Sequence, residues 1–324
     1  MKIPLSSANV DLQSALSGKR RIIALNKKDL ANPNIMRRWI QYFERSKQDS
    51  LSISAHSRSS VKELLTLVEL KLKEVISREP TLLVMVVGVP NIGKSALINS
   101  IHRIAASRFP VQEKIKRATV GPLPGVTQDI AGYKIANQPS IYVLDTPGVL
   151  VPSIPDIETG LKLALTGAVK DSVVGEERLA KYFLAVLNNR STPLHWKNLD
   201  NEERSRPPFD PRMRNKSILK HDVQRRKLLL DDSDVRYVEG FVKEVRRTLY
   251  ATFSSFEGDL MEENELECLI DTQLAALQEL FKISTKSEEG ARTMVSKKLI
   301  TLFRTGKLGP FVLDDVPDAS GHIS

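Results

Sequence analysis

The sequence has a single cysteine, Cys268, in 324 residues. That excludes an intramolecular disulfide framework and any cysteine-based zinc site. No apolar run approaches the roughly 18 residues a membrane span needs, so any membrane contact would be peripheral. Acid is in short supply: 39 Asp and Glu against 48 Lys and Arg leave a net charge of +9 and a pI near 9.5. Such a balance favours a polyanionic partner, because each cation that meets a phosphate releases a counterion. Charge alone gives equal weight to a basic organellar protein with no nucleic-acid role. The opening segment MKIPLSSANVDLQSALSGKRR lacks the apolar core of a secretory signal. It is a poor transit peptide as well, with Asp11 present and arginine only at its end.

What is present is an ordinary globular composition, 41% hydrophobic and 27% charged, with length enough for two domains. Short apolar runs at Ile22–Leu25, Leu82–Val87 and Ile141–Leu144 predict buried strands. Between the first two lie helical patterns at Asn34–Arg45, where Ile35, Trp39 and Phe43 recur every four residues, and at Ser60–Arg78. Asn34 and Ser59 or Ser60 are the expected N-caps. Alternating strands and helices of this size predict an α/β fold with a mostly parallel, doubly wound sheet. After about residue 150 the pattern becomes helical, over Glu158–Val169, Glu176–Leu187, Tyr237–Phe253, Glu262–Phe281 and Gly290–Phe303. The expected division is an α/β domain at 1–155, a mainly α-helical C-terminal domain at 156–310 and a tail at 311–324. A polar, basic stretch at 191–233 interrupts the helices and reads as a loop or insertion.

The strongest local signal is VVGVPNIGKSALINS at 86–100, which contains Gly88-x4-Gly93-Lys94-Ser95 between a predicted strand and a predicted helix. Glycines let backbone N–H groups close around phosphates, and the helix N-terminus adds partial positive charge. The nucleotide-binding stretch is Asn91, Ile92, Gly93, Lys94, Ser95 and Ala96. Lys94 is expected on the β- and γ-phosphates and Ser95 on Mg²⁺. The strand IYVLD ends in Asp145-Thr146-Pro147-Gly148, where Asp145 would serve Mg²⁺ and the Gly148 N–H would sense the γ-phosphate. Between them Thr127, in LPGVTQDI, is the candidate switch threonine and a further Mg²⁺ ligand; a plain loop threonine is the competing reading.

RIIALNKKDL at 21–30 is a strand ending in Asn-Lys-x-Asp. Asp29 would accept from the N1–H and N2–H₂ edge of guanine, which adenine lacks. Asn26 would tie this loop to the phosphate loop, and the stem of Lys27 would lie over the base. In LSISAHS at 51–57, Ser54 and the Ala55 N–H would meet guanine O6; His56 stands where lysine is common.

In this order (guanine loop, Ser-Ala loop, phosphate loop, threonine, Asp-x-x-Gly), the chain resembles the circularly permuted GTPases. It is most similar to the RbgA/YlqF ribosome-assembly family, whose organellar members include mitochondrial ribosome-associated GTPase 1 and the plant DAR GTPases. Ile3-Pro4-Leu5-Ser6-Ser7, Asn26-Lys27-Lys28-Asp29, Gly88–Ser95, Pro124–Thr127 and Asp145–Val149 carry the resemblance. It implies GTP/GDP and Mg²⁺ as ligands, the large ribosomal subunit as partner, a monomer, and a mitochondrial setting with plastid as the alternative. It also implies slow hydrolysis: Val149 stands where many GTPases place a water-orienting Gln. Asn91 matches the asparagine of K⁺-stimulated relatives, so Asn91, Lys94 and Thr127 are the candidate catalytic residues. A loop amide that satisfies local backbone groups is the competing reading of Asn91. A signalling GTPase and a non-catalytic, nucleotide-dependent scaffold remain the alternatives.

One departure stands out. The family's Asp-Ala-Arg would immediately precede Ile3, yet the chain reads Met1-Lys2-Ile3. The strand that motif ends would lie between the phosphate-loop strand and the guanine-loop strand. The expectation is a truncated gene model, splice form or fragment, its targeting peptide lost with the strand.

Overall fold

A computed structural model describes residues 2–8, 18–73, 81–108, 131–137, 140–145, 154–197, 232–284 and 287–317. The chain forms two compact units, Met1–Leu179 with Phe303–Ser324, and Ala180–Leu302.

The first unit is α/β. Strand β1 (Ile22–Leu25) runs parallel to β2 (Asp49–Ser52), with Ile22 opposite Asp49 and Leu25 opposite Ser52. Strand β3 (Thr81–Val86) runs parallel to β5 (Ser140–Asp145), and β4 (Ala131–Asn137) lies antiparallel on the other edge of β5. Three strands are thus where the apolar runs predict them, and β2 and β4 are additional. Among the described residues no ladder joins β1 to β3, so the sheet comes in two pieces. Leu82 is buried on one face of β3, while Leu83 and Met85 are 66% and 56% exposed on the other.

Helix α1 (Pro33–Arg45) starts on proline, whose fixed φ suits the first helical position. Its N-cap is Asn32 rather than the expected Asn34: the Asn32 side chain accepts from the Asn34 N–H at 2.9 Å. Helix α2 (Arg58–Lys73) begins just after Ser57, whose Oγ accepts from the Ser60 N–H at 3.4 Å. Helix α3 (Lys94–Arg108) follows the phosphate loop. Ile53 and Ala55, Val61, Leu64 and Leu65 of α2, Leu82 of β3, Ile98 and Ile101 of α3 and Val143 of β5 form one apolar core that spans both pieces of sheet. A second cluster gathers Leu25, Ala31, Met36, Trp39, Phe43 and Val312. Burying each of these large side chains is worth about 1.5–3 kcal/mol, enough to bind the halves of the sheet without a shared ladder.

Helix α4 (Ile157–Leu165) and the short α5 (Asp171–Val174) complete this unit together with residues returning from the C-terminus. That return segment is tightly held. The Asp314 carboxylate accepts from the Leu5 and Ser6 N–H groups at 2.8 and 2.9 Å and from Ser6 Oγ at 2.6 Å. The Lys162 ammonium stands 3.4 Å from the same carboxylate. The Leu313 N–H donates to Lys2 O at 2.7 Å, and Asn32 N–H donates to Pro310 O at 2.9 Å.

Helix α6 (Glu176–Asn189) runs from the first unit into the second, which adds a 3-10 turn (Thr192–Trp196), α7 (Asp232–Ser254), α8 (Glu263–Leu280) and most of α9 (Glu288–Arg304). This second unit is helical throughout its described residues. Phe183, Leu184, Val245, Leu249, Leu274, Leu277, Val295 and Leu299 are buried in it. At its centre the Asn188 and Gln273 amides pair reciprocally at 3.0 and 2.9 Å, both residues fully buried. Of the basic stretch 191–233, only 191–197 and 232–233 lie within the described residues, and there Pro193 and Trp196 are buried. No described helix is long and apolar enough to cross a membrane.

Candidate nucleotide site

Strand β3 delivers the chain into a loop that turns back to start α3. Three residues in it take positive φ: Gly88 at 149°, Asn91 at 59° and Gly93 at 96°. At Gly93 the need for glycine is spatial too, since a Cβ there would stand 2.5 Å from Asn26 Nδ2. The Leu97 N–H donates to Gly93 O at 3.0 Å and opens the helix. Lys94 is buried, with Nζ donating to Gly88 O at 2.8 Å and Val89 O at 3.0 Å. Ser95 and Ala96 follow in the first turn, half-buried. The positive end of a 15-residue helix and the Lys94 ammonium are both of the sign that phosphate binding needs.

Asn26, at the end of β1, is the structural hinge between three loops. Its Oδ1 accepts from the Ala55 N–H at 3.0 Å, and its Nδ2 donates to Ile92 O at 2.9 Å. Lys27 takes φ 60°, and its Nζ donates to Asn91 O at 2.8 Å. The residue as a whole is exposed, but its ammonium end lies against the loop. Loss of water there lowers its pKa; nearby Asp29 pulls the other way, and the Arg304 charge adds to the lowering. Asp29 itself sits exposed in a 3-10 turn (Lys28–Leu30), as an acceptor for a base edge must. Ser54 is buried, its N–H donating to Ser60 Oγ at 3.1 Å, while Ser100 Oγ of α3 donates to Ala55 O at 2.5 Å. Asn91 Nδ2 donates to Gly167 O at 2.7 Å, so its amide satisfies a backbone group.

Asn26, Lys27, Ala55, Asn91, Ile92, Gly93 and Lys94 therefore converge. Asp145 ends β5 in register with Val86, which brings its backbone to the mouth of the phosphate loop. Thr127 and Gly148 lie outside the described residues. Sequence reasoning named Ser60 only as a possible N-cap, not as the partner of Ser54, and missed Ser100 and Gly167. Only Gly167 carried a signal, a glycine just past a helical pattern.

A phosphate loop, a guanine-type loop and a Ser-Ala loop joined through one asparagine define a guanine-nucleotide protein of permuted order. The comparisons agree. Residues 83–209 match the family described as 50S ribosome-binding GTPase. Short integuments 2, mitochondrial, of Arabidopsis thaliana is 68% identical over 317 residues, 98% of this chain and 82% of that protein. DAR GTPase 2, mitochondrial, of the same plant is 38% identical over 320 residues, 97% of this chain and 82% of its own. Ribosome biogenesis GTPase A of Priestia megaterium is 34% identical over 196 residues, 58% of this chain and 64% of its own. The chain belongs to the circularly permuted GTPases of the RbgA/YlqF ribosome-assembly family.

Proposed function

We propose that this GTPase is an assembly factor for the large ribosomal subunit of the mitochondrion, binding GTP, hydrolysing it slowly and leaving the subunit afterwards. The observation that carries the nucleotide part is the Asn26 hinge, which joins base loop and phosphate loop into one site. The ribosomal and mitochondrial parts rest on the names of the relatives and on the basic charge of +9.

In this reading Asp29 selects guanine, Ser54 and Ala55 line the O6 side with the Ala55 N–H held by Asn26 Oδ1, and the Asn91–Ala96 backbone with Lys94 holds the phosphates. The hydroxyls of Ser95 and Thr127 and the Asp145 carboxylate are oxygen donors of the kind a hard divalent ion takes, and they would hold Mg²⁺. That ion would neutralise charge on the phosphates. Asn91 would serve a K⁺ ion beside it. Gly148 would report the γ-phosphate to the switch segment. The unit Met1–Leu179 with Phe303–Ser324 carries the nucleotide loops, rather than 1–155 with 311–324 as a separate tail; the helical unit and the basic insertion at 191–233 meet rRNA. The protein acts as a monomer.

Sedimentation of the tagged protein with mitochondrial ribosomal subunits tests this. Co-sedimentation with the large subunit is expected with a non-hydrolysable GTP analogue and is expected to fall with GDP and with salt. Equal binding to both subunits in either nucleotide would sink the assembly role. Turnover is expected to be faster in K⁺ than in Na⁺ and faster with large subunits; equal turnover across these conditions would sink that stimulation.

A further inference from the structure

The turn that follows α4 is built with unusual completeness. Gly167 takes φ 83°. Its N–H donates to Ala164 O at 2.8 Å and the next N–H, of Ala168, donates to Leu163 O at 2.8 Å, the double bond of a Schellman cap. Arg304, at the end of α9, binds two carbonyls of the turn: Nε donates to Leu165 O at 2.9 Å and Nη2 to Ala164 O, which also takes the Gly167 N–H, at 2.7 Å. The same guanidinium grips Asp171 with both arms, at 2.9 and 2.6 Å. The Gly167 carbonyl takes Asn91 Nδ2 at 2.7 Å. Asn91 in turn accepts from Lys27 at its own carbonyl.

We infer that Arg304, held by Asp171, is a positioning residue for the nucleotide site: it sets the Gly167 carbonyl that anchors Asn91, and through Asn91 the contact between phosphate loop and guanine loop. The inference rests on the nucleotide-binding reading above. A guanidinium suits the task because its planar fork can satisfy two carbonyls and a carboxylate at once, which an ammonium cannot. Asn91 needs an anchor because a non-glycine residue in the left-handed region holds that conformation only when its surroundings impose it. Arg304 also reaches Lys27 through its charge, so Arg304→Lys, which keeps the charge and loses the fork, separates that route from the one through the turn.

The test is a double-mutant cycle between Arg304→Gln and Asn91→Ala, read as the dissociation rate of a fluorescent GDP, with urea unfolding measured alongside. Each single variant is expected to release GDP about tenfold faster, roughly what one hydrogen bond is worth in affinity. The double variant is expected to release it no faster than either single one. Arg304→Lys should resemble Arg304→Gln, because charge without the fork does not restore the turn. Asp171→Asn reads the same coupling more gently, should Arg304→Gln fail to fold. Multiplying rates in the double variant, or unchanged release with only a lowered unfolding midpoint, would overturn the inference. Wild-type protein that binds no guanine nucleotide in this assay would instead overturn the nucleotide reading itself.

Discussion

Replacing Asn26 by alanine should cost about 2–4 kcal/mol, and the sum can be built from its parts. The Ala55 N–H is buried, with Ala55 only 3% exposed, so no water replaces the lost acceptor. An orphaned buried donor costs about 1–3 kcal/mol. The Ile92 carbonyl belongs to a half-buried residue that water can reach, so its loss is nearer 1 kcal/mol. The first part should appear as a lower urea midpoint and the second as weaker binding of fluorescent GDP. Gly93→Ala provides the control. Its Cβ would displace Asn26 Nδ2 from 2.5 Å and also hold alanine at φ 96°, a strain of about 1–3 kcal/mol. With Asn26→Ala already present the collision is gone and only the strain remains. The double variant should therefore fall short of the sum by about 1–2 kcal/mol, in both unfolding and binding. Additive effects, or Asn26→Ala within 0.5 kcal/mol (roughly the scatter of neutral surface changes) of wild type in both assays, would refute the hinge.

Lys2 is 9% exposed, its Nζ has no hydrogen-bond partner among the described residues and lies 3.8 Å from the Phe303 ring centroid, and burial, helped by the Lys27 charge, lowers its pKa from 10.5 to about 8. The unfolded chain then binds more protons between pH 8 and 10.5, so stability should rise with pH across that window, by up to about 3 kcal/mol. Lys2→Met should flatten that rise and unfold at higher urea near pH 7.5; equal slopes in the two proteins would rule the burial out. For the buried Asn188–Gln273 pair, either single change to leucine should cost about 2–4 kcal/mol by stranding the other amide, and the double change should cost less than their sum. Simple additivity in urea unfolding would contradict that.

Strands β1, β3 and β5 were legible because each is a short apolar run with a motif at its end. Strand β2 was not, because Asp-Ser-Leu-Ser carries almost no strand propensity; it forms because β1 lies beside it and Leu51 reaches the shared core. Strand β4 hides behind Gly132 and an irregular register between Lys134 and Ala136. The N-cap misplacement at α1 has a simple cause: Pro33 belongs inside the first turn, which moves the cap back to Asn32. The pattern Glu158–Val169 ran past the true end of α4 at Leu165 for the converse reason, since Gly167 marks the stop. Arg304 could not be found at all, because its partner Asp171 is 133 positions away and neither belongs to a motif.

The site residues themselves read clearly, each inside a recognisable loop, but the bonds between those loops did not. Asn26 and Ile92 lie 66 positions apart, Lys27 and Asn91 64, and Ala55 and Asn26 29. None of these contacts depends on which loop comes first along the chain; each needs only that β1 and β3 deliver their C-terminal ends to the same edge of the unit. A permuted order therefore leaves the site's internal bonds intact while changing which connections close it. Those bonds are made between protein groups, so breaking the hinge at Asn26 should register in unfolding as well as in affinity.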